Sequence, residues 1–151
     1  MIRLQSEPID VGALLSTVGT DASGAIDIFV GTTRNNADGK IVSSLEYEAY
    51  EGMAEKELAN IVQEARSRWP VNDVAVVHRL GRVPVGEASV AIAVSSSHRL
   101  EAFNACKFII DTLKERVPIW KRETFADGTV EWSGSEFKVR SEHQPNRWRP
   151  S

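Results

Sequence analysis

Residues 89–118, SVAIAVSSSHRLEAFNACKFIIDTLKERVP, decide the fold because they join a buried strand to a long amphipathic helix. The small and β-branched residues of Ser89–Ser96 are typical of a strand. In Arg99–Arg116 the apolar residues recur at helical spacing, and Pro118 ends the helix. The helical period predicts four inward side chains: Phe103, Cys106, Ile110 and Leu113.

The rest of the chain supplies partners for this strand and helix. Met53–Trp69 is predicted as the first of the two long helices, with an apolar stripe that begins at Met53, and a short helix follows Asp10. The remaining predicted strands are Ala25–Gly31, Ser43–Tyr50, Asp73–Leu80, Trp120–Phe125 and Thr129–Trp132. This order predicts an α+β fold, with a mixed, mostly antiparallel sheet and both long helices packed on one side of it. We expect the strands to pair mostly with their sequence neighbours.

Length and composition indicate one soluble domain. The chain has 151 residues, of which 42% are hydrophobic and 26% charged, as in ordinary globular proteins. We predict a single domain at residues 1–134 and a polar tail at 135–151 that is flexible or crosses to a neighbouring subunit. No apolar run approaches the ~20 residues that cross a bilayer, and the N-terminus lacks a signal peptide, so we expect no membrane association and a cytoplasmic protein.

Charge and cysteine content exclude several function classes. The net charge of −3 argues against a general nucleic-acid binder. Cys106 is the only cysteine, which excludes an intrachain disulfide and a cysteine-based metal cluster. The three histidines are far apart in sequence, and no dinucleotide or Walker glycine pattern is present, so we predict neither a metal nor a cofactor.

Two segments have residues suited to binding an anion. Arg34 follows the first core strand in Gly31–Asn36, where a glycine lets a ligand approach the backbone and an arginine can bind two phosphate oxygens; a solvated surface turn fits this pattern too. His98 and Arg99 lie at the first turn of the second long helix, whose unpaired N–H groups favour an anion. An ordinary helix start with an exposed arginine is equally compatible.

Further candidates follow that helix. Lys114 and Lys121 are separated by Pro118, so their spacing does not show whether the two ammonium groups converge. Trp120 could stack on a planar heterocycle, although a lone tryptophan also suits a core. His78 and Arg79 point to opposite faces of a predicted strand, and we interpret them, with Arg82, as mostly structural.

Together these segments resemble the molybdopterin synthase catalytic (large) subunit family. The resemblance covers about residues 25–132, and its motifs occur in the family's order. The motifs are FVGTTRN (29–35), LEYEAY (45–50), VHRLG (77–81), GE (86–87), SHR (97–99), LK (113–114) and PIWKRE (118–123).

The resemblance implies a specific activity. Such enzymes are sulfurtransferases of molybdenum cofactor biosynthesis. They move two sulfurs from the C-terminal Gly-Gly thiocarboxylate of a small ubiquitin-like subunit to cyclic pyranopterin monophosphate, which forms the dithiolene of molybdopterin. They form a homodimer of large subunits within a heterotetramer.

The resemblance also assigns residues. It implies that Lys114 and Lys121 lie at the reacting centre and that five residues bind substrate: Arg34, His98, Arg99, Trp120 and Arg122. The family's cross-dimer arginine after the tryptophan matching Trp132 is missing; either Lys138 or Arg140 replaces it, or this chain lacks the cross-dimer contact.

Two alternatives use the same sequence differently. A non-catalytic dimeric module that binds an anionic metabolite or a partner protein would need Arg34, His98 and Arg99 but not both lysines. A nucleic-acid-binding domain would use the tail residues Arg140, Arg147, Trp148 and Arg149, against the chain's net negative charge.

Overall fold

The computed structural model describes residues 1–134, which form three helices and nine strands. The helices are α1 (Val11–Val18), α2 (Glu51–Arg68) and α3 (Arg99–Arg116). The strands are β1 (Ile2–Gln5), β2 (Ala25–Thr32), β3 (Asn36–Ala37), β4 (Lys40–Ala49), β5 (Val71–Arg79), β6 (Gly81–Arg82), β7 (Ala88–Ser96), β8 (Ile119–Phe125) and β9 (Val130–Gly134).

The main core surrounds a four-stranded sheet in the order β1-β5-β7-β2. Strand β1 is parallel to β5, and the other pairings are antiparallel. Because side chains alternate along a strand, Val74 and Val76 of β5 face the core built with α2 and α3, whereas Ala75 and Val77 pack with α1. The two long helices therefore cover one face of this sheet and the short helix covers the other.

A second, antiparallel sheet has the order β3-β4-β8-β9, with β6 also pairing with β4. Ile119 of β8 is buried in the core formed by α2 and α3, and Ala49 of β4 packs against that core. The residue that follows α3, Val117, is buried as well, so the helix leads directly from the first sheet into the second. The place where the two sheets meet is therefore the C-terminal end of α3.

The predicted α+β class, the mostly antiparallel pairing and the placement of both long helices are confirmed. The prediction of a single sheet is wrong, because the strands form two sheets. The expected pairing of sequence neighbours is wrong for the long strands β2 and β4, which pair with β7 and β8. Alternating hydrophobicity identifies the buried face of a strand but not its partner. Three short strands, β1, β3 and β6, were not predicted, since two to four residues carry almost no periodic signal.

The predicted ends of the helices agree with the structure better than the predicted buried side chains do. α3 has the predicted limits, and the Asp10 carboxylate accepts a hydrogen bond from the Ala13 N–H at 3.0 Å, as expected for a helix cap. Met53 and Phe103 are not inward, because they are 60% and 52% exposed. Small side chains such as Ala102 take the buried positions of α3 instead, which lets the helix lie close to the sheet.

The predicted tail at 135–151 lies outside the described residues. Within residues 1–134, no helix combines the length and the apolar character that crossing a membrane requires.

Candidate functional site

A cleft of about 320 Å³ opens where the two sheets meet the C-terminal end of α3. It is lined by three cationic side chains, Arg34, Lys114 and Lys121, which lie far apart in sequence. Lys114 and Lys121, whose spacing across Pro118 did not show whether they converge, both face this cleft. The apolar part of the lining includes Phe29 and Ile119.

Each cation is placed by a different element. Arg34 follows β2, directly after Thr33, which is buried and donates its backbone N–H to the Glu87 carbonyl at 3.1 Å. Lys114 lies in the last turn of α3. Lys121 points to the same face of β8 as Ile119, two residues earlier, which is buried in the core. The fold, not any local motif, brings the three charges together.

The cleft has an excess of positive charge. Lys121 forms an ion pair with Glu123 at 3.3 Å, and this carboxylate is largely buried. Among residues 1–134, neither Arg34 nor Lys114 forms an ion pair. Two cations without an acidic partner, next to a third that shares one, make a site suited to a multiply charged anion.

His78 also lines the cleft, although the sequence suggested a mostly structural residue. Its Nδ1 lies 2.9 Å from the Arg79 carbonyl oxygen, so this nitrogen carries the proton and donates it. Burial lowers the pKa of His78 from 6.5 to about 4; the hydrogen bond to Arg79 opposes this shift, and the charge of Lys114 adds to it. The ring is therefore neutral at physiological pH, and its edge-on contact with Tyr47 fixes its orientation.

Two glycines present bare backbone to the cleft, Gly31 and Gly134. A Cβ on Gly134 would lie 2.5 Å from the Ile119 carbonyl oxygen, and the φ of this glycine is +135°. A Cβ on Gly31 would lie 2.8 Å from a methyl group of Val90. Glycine is required at Gly134 both by its backbone conformation and by the close approach of β8.

His98 and Arg99 lie at the opposite end of α3 from Lys114. They line a separate, open depression of about 670 Å³ with neighbours that include Ser97 and Phe103. Arg99 and Lys114 are fifteen positions apart on one helix, which at ~1.5 Å per residue separates them by about 22 Å along its axis. The structure does not bring the two groups together within one chain.

Trp120 and Arg122 do not line the cleft, because alternation along β8 directs them to the face opposite Lys121. Trp120 is buried and packs edge-on against Tyr50, with ring centroids 5.2 Å apart. Arg122 donates a hydrogen bond to Glu46 at 3.1 Å. Within this chain Trp120 packs against Tyr50 and Arg122 pairs with Glu46 of the neighbouring strand, and their contact with substrate stays a prediction.

Cys106 lies on the buried face of α3, as predicted, and outside the cleft lining. Burial, with the nearby carboxylate of Asp27, raises the pKa of its thiol to about 12. A thiol with such a pKa stays protonated and is a poor nucleophile.

Comparisons with known proteins place the chain in a family. The family model described as MoaE protein matches residues 4–116. The molybdopterin synthase catalytic subunit of Bos taurus is 52% identical over 132 residues, which cover 87% of this chain and 70% of the relative. The crystal structure of molybdopterin synthase from Staphylococcus aureus superposes with a TM-score of 0.82 at 39% identity, over 87% of this chain and 95% of that one.

A more distant structure, described as a protein–protein complex of subunits 1 and 2 of molybdopterin-converting factor from Helicobacter pylori, shares the fold. Its TM-score is 0.71 at 22% identity, over 87% of this chain and 89% of that one. Since the family model spans most of the chain and the bovine relative shares half of its residues, the chain belongs to the MoaE family of molybdopterin synthase catalytic subunits, the sulfurtransferases of molybdenum cofactor biosynthesis.

Proposed function

We propose that the cleft transfers two sulfurs from the C-terminal thiocarboxylate of a small ubiquitin-like subunit to cyclic pyranopterin monophosphate, giving the dithiolene of molybdopterin. The observation that supports this most is the convergence of Arg34, Lys114 and Lys121 on one cleft. A cyclic phosphate needs cations to bind it and to stabilise the negative charge that develops as its ring opens.

The three cations suit different tasks. Arg34 is exposed at the rim and can bind two phosphate oxygens with its planar guanidinium. Lys114 and Lys121 line the cleft beside the neutral ring of His78, and their ammonium groups can donate hydrogen bonds and protons to reacting oxygens. Glu123 orients the Lys121 ammonium group through their 3.3 Å ion pair.

The residues at the other end of α3 join the site through a second copy of the chain. A pterin monophosphate is far shorter than the ~22 Å between Arg99 and Lys114, so His98 and Arg99 can contact the same substrate only from a neighbouring subunit. Exposed apolar side chains lie close to them in sequence and support an interface there: Leu100 and Phe103. The proposed assembly is a homodimer, with a small subunit on each copy forming a heterotetramer.

The two glycines of the cleft lining support the C-terminal tail of a small partner as its second ligand. A Gly-Gly tail has no side chains, and Gly31 and Gly134 leave the backbone of the cleft bare on their side. The related Helicobacter pylori structure is a complex of two subunits, which supports the same kind of partner for this chain.

Single-turnover conversion tests the proposal. Purified chain, thiocarboxylated small subunit and cyclic pyranopterin monophosphate are mixed, and dithiolene product is measured for the wild type and for Lys121→Ala. Lys107→Ala is the matched control, because Lys107 is a solvent-exposed lysine of α3, paired with Asp111 and away from the cleft. We expect product from the wild type and the control, and a loss of several orders of magnitude in Lys121→Ala.

The same assay distinguishes the non-catalytic alternative. If the wild type binds the pterin and the small subunit but forms no product, the chain is an anion-binding module and the proposed chemistry is wrong. Equal single-turnover rates for Lys121→Ala and the wild type would remove Lys121 from the reacting centre.

A further inference from the structure

An ion pair outside the cleft fixes the turn that carries Arg34. Arg79, at the end of β5, donates a hydrogen bond from Nη1 to the Glu87 carboxylate at 2.8 Å. The arginine side chain is almost fully buried, whereas that of Glu87 is 45% exposed. A buried guanidinium is costly without an anionic partner, so Arg79 holds the otherwise exposed Glu87 in one place.

The backbone of Glu87 is in turn bonded to the segment before Arg34. The Thr33 N–H donates to the Glu87 carbonyl at 3.1 Å, and the Gly86 N–H donates to the Thr33 carbonyl at 2.8 Å. The Glu87 N–H closes its own turn on the Pro84 carbonyl at 3.1 Å, with Gly86 at a φ of +86°. Thr33 is thus clamped on both sides, and Arg34 is the next residue.

We propose that Arg79 and Glu87 are positioning residues for substrate: their ion pair fixes the turn at residues 84–87, which holds Thr33 and so directs Arg34 into the cleft. This inference rests on the proposed function, in which Arg34 binds the substrate phosphate. Neither Arg79 nor Glu87 lines the cleft, so they act through Arg34 and not by contact.

Glu87→Ala removes the anionic partner of the buried Arg79 guanidinium, so its thermal unfolding is measured first to establish that the variant is folded. We expect this variant to bind cyclic pyranopterin monophosphate about tenfold more weakly by calorimetry, and Glu87→Gln, which keeps an acceptor without the charge, about threefold. The control is Glu64→Ala, which removes an ion pair of the same 2.8 Å length and similar carboxylate exposure (41%) outside the cleft lining, from Arg116, which is more exposed than Arg79 and keeps Glu57 as its partner. The control should bind like the wild type.

A double variant shows whether the effect passes through Arg34. Arg34→Ala alone weakens binding, and adding Glu87→Ala should weaken it no further, because the side chain that the ion pair positions is already gone. If the two losses multiply, Glu87 acts independently of Arg34 and the inference is wrong.

Amide hydrogen exchange gives a readout that needs no substrate. In Glu87→Ala the N–H groups of Thr33 and Gly86 should exchange faster, while those of the β5–β7 ladder stay protected. Unchanged exchange at these two amides would overturn the positioning role even if turnover fell. If Glu87→Ala speeds exchange at both amides but the wild type does not bind the pterin, the ion pair does hold the turn. In that case the proposed function is wrong, and with it the role of the ion pair in binding substrate.

Discussion

Acid should destabilise this protein through His78. The pKa of His78 is about 4 in the folded chain because the ring is buried, and it returns to the ordinary value of 6.5 on unfolding. Between these values the unfolded state binds a proton that the folded state excludes. The free energy of unfolding must therefore fall as the pH is lowered through this window, and the contribution is fully retained above pH 6.5.

The two values set the size of the effect. A shift of this size corresponds to about 3 kcal/mol over the whole window, of which about 2 kcal/mol is lost between pH 7 and pH 4.5. In His78→Gln, which has no titrating ring, that part of the pH dependence should disappear. Carboxylates also lose stabilising interactions in acid, but they do so equally in both proteins, so the difference between the two isolates His78.

Urea unfolding followed by circular dichroism at pH 7 and pH 4.5 measures the difference. Val76→Ala is the control, since it weakens the same strand in the same core without changing a titratable group. Its loss of stability on acidification should match that of the wild type. If the free energy of unfolding changes equally with pH in the wild type and in His78→Gln, the reasoning is refuted. The ring would then be protonated equally in the folded and unfolded chains.

Three further predictions concern the site. Mixing unfolded Lys121→Ala with Arg99→Ala and refolding them together should restore about a quarter of wild-type turnover, because half of the random dimers are mixed and each mixed dimer has one intact site of two; no recovery would place both residues in one subunit. Cys106→Ser should keep sulfur transfer, measured in single turnover, because the thiol is buried and protonated; a folded but inactive variant would contradict this. Gly134→Ala should lower the melting temperature and the affinity for the small subunit, since its Cβ would meet the Ile119 carbonyl; unchanged values would contradict the close approach.

Much of the fold was predictable because long elements have a strong period. The bounds of α3 follow from its apolar spacing and from Pro118, and the buried strand β7 follows from its β-branched residues. Strand β1 was not predictable, because its four residues pair in parallel with β5 some seventy residues away. Nothing local distinguishes such a segment from an irregular N-terminus.

The site was predictable only in part, for a related reason. Arg34, Lys114 and Lys121 could each be proposed from sequence, but their convergence depends on which strands are neighbours. His78 was the residue that sequence reasoning undervalued. The observation that His78 and Arg79 point to opposite faces was correct, and the structure shows that one faces the cleft while the other pairs with Glu87. A signal was present in the position of a histidine at the end of a buried strand, where sites often lie.

The distribution of charge explains how an acidic chain can form a cationic site. The net charge is −3, yet acidic residues such as Glu57 and Glu64 are engaged by Arg116 on the outer surface of the two long helices. Around the cleft, Glu123 is the acidic residue that pairs with a lining cation, and it leaves Arg34 and Lys114 without an acidic partner in the described part of the chain. Fields from exposed surface charges are screened within about 8–10 Å at physiological salt, so the acids outside contribute little in the cleft. Net charge therefore describes the protein surface as a whole and does not predict the charge of one cleft. An anion is recognised by the few cations that the fold places within a few ångströms of it.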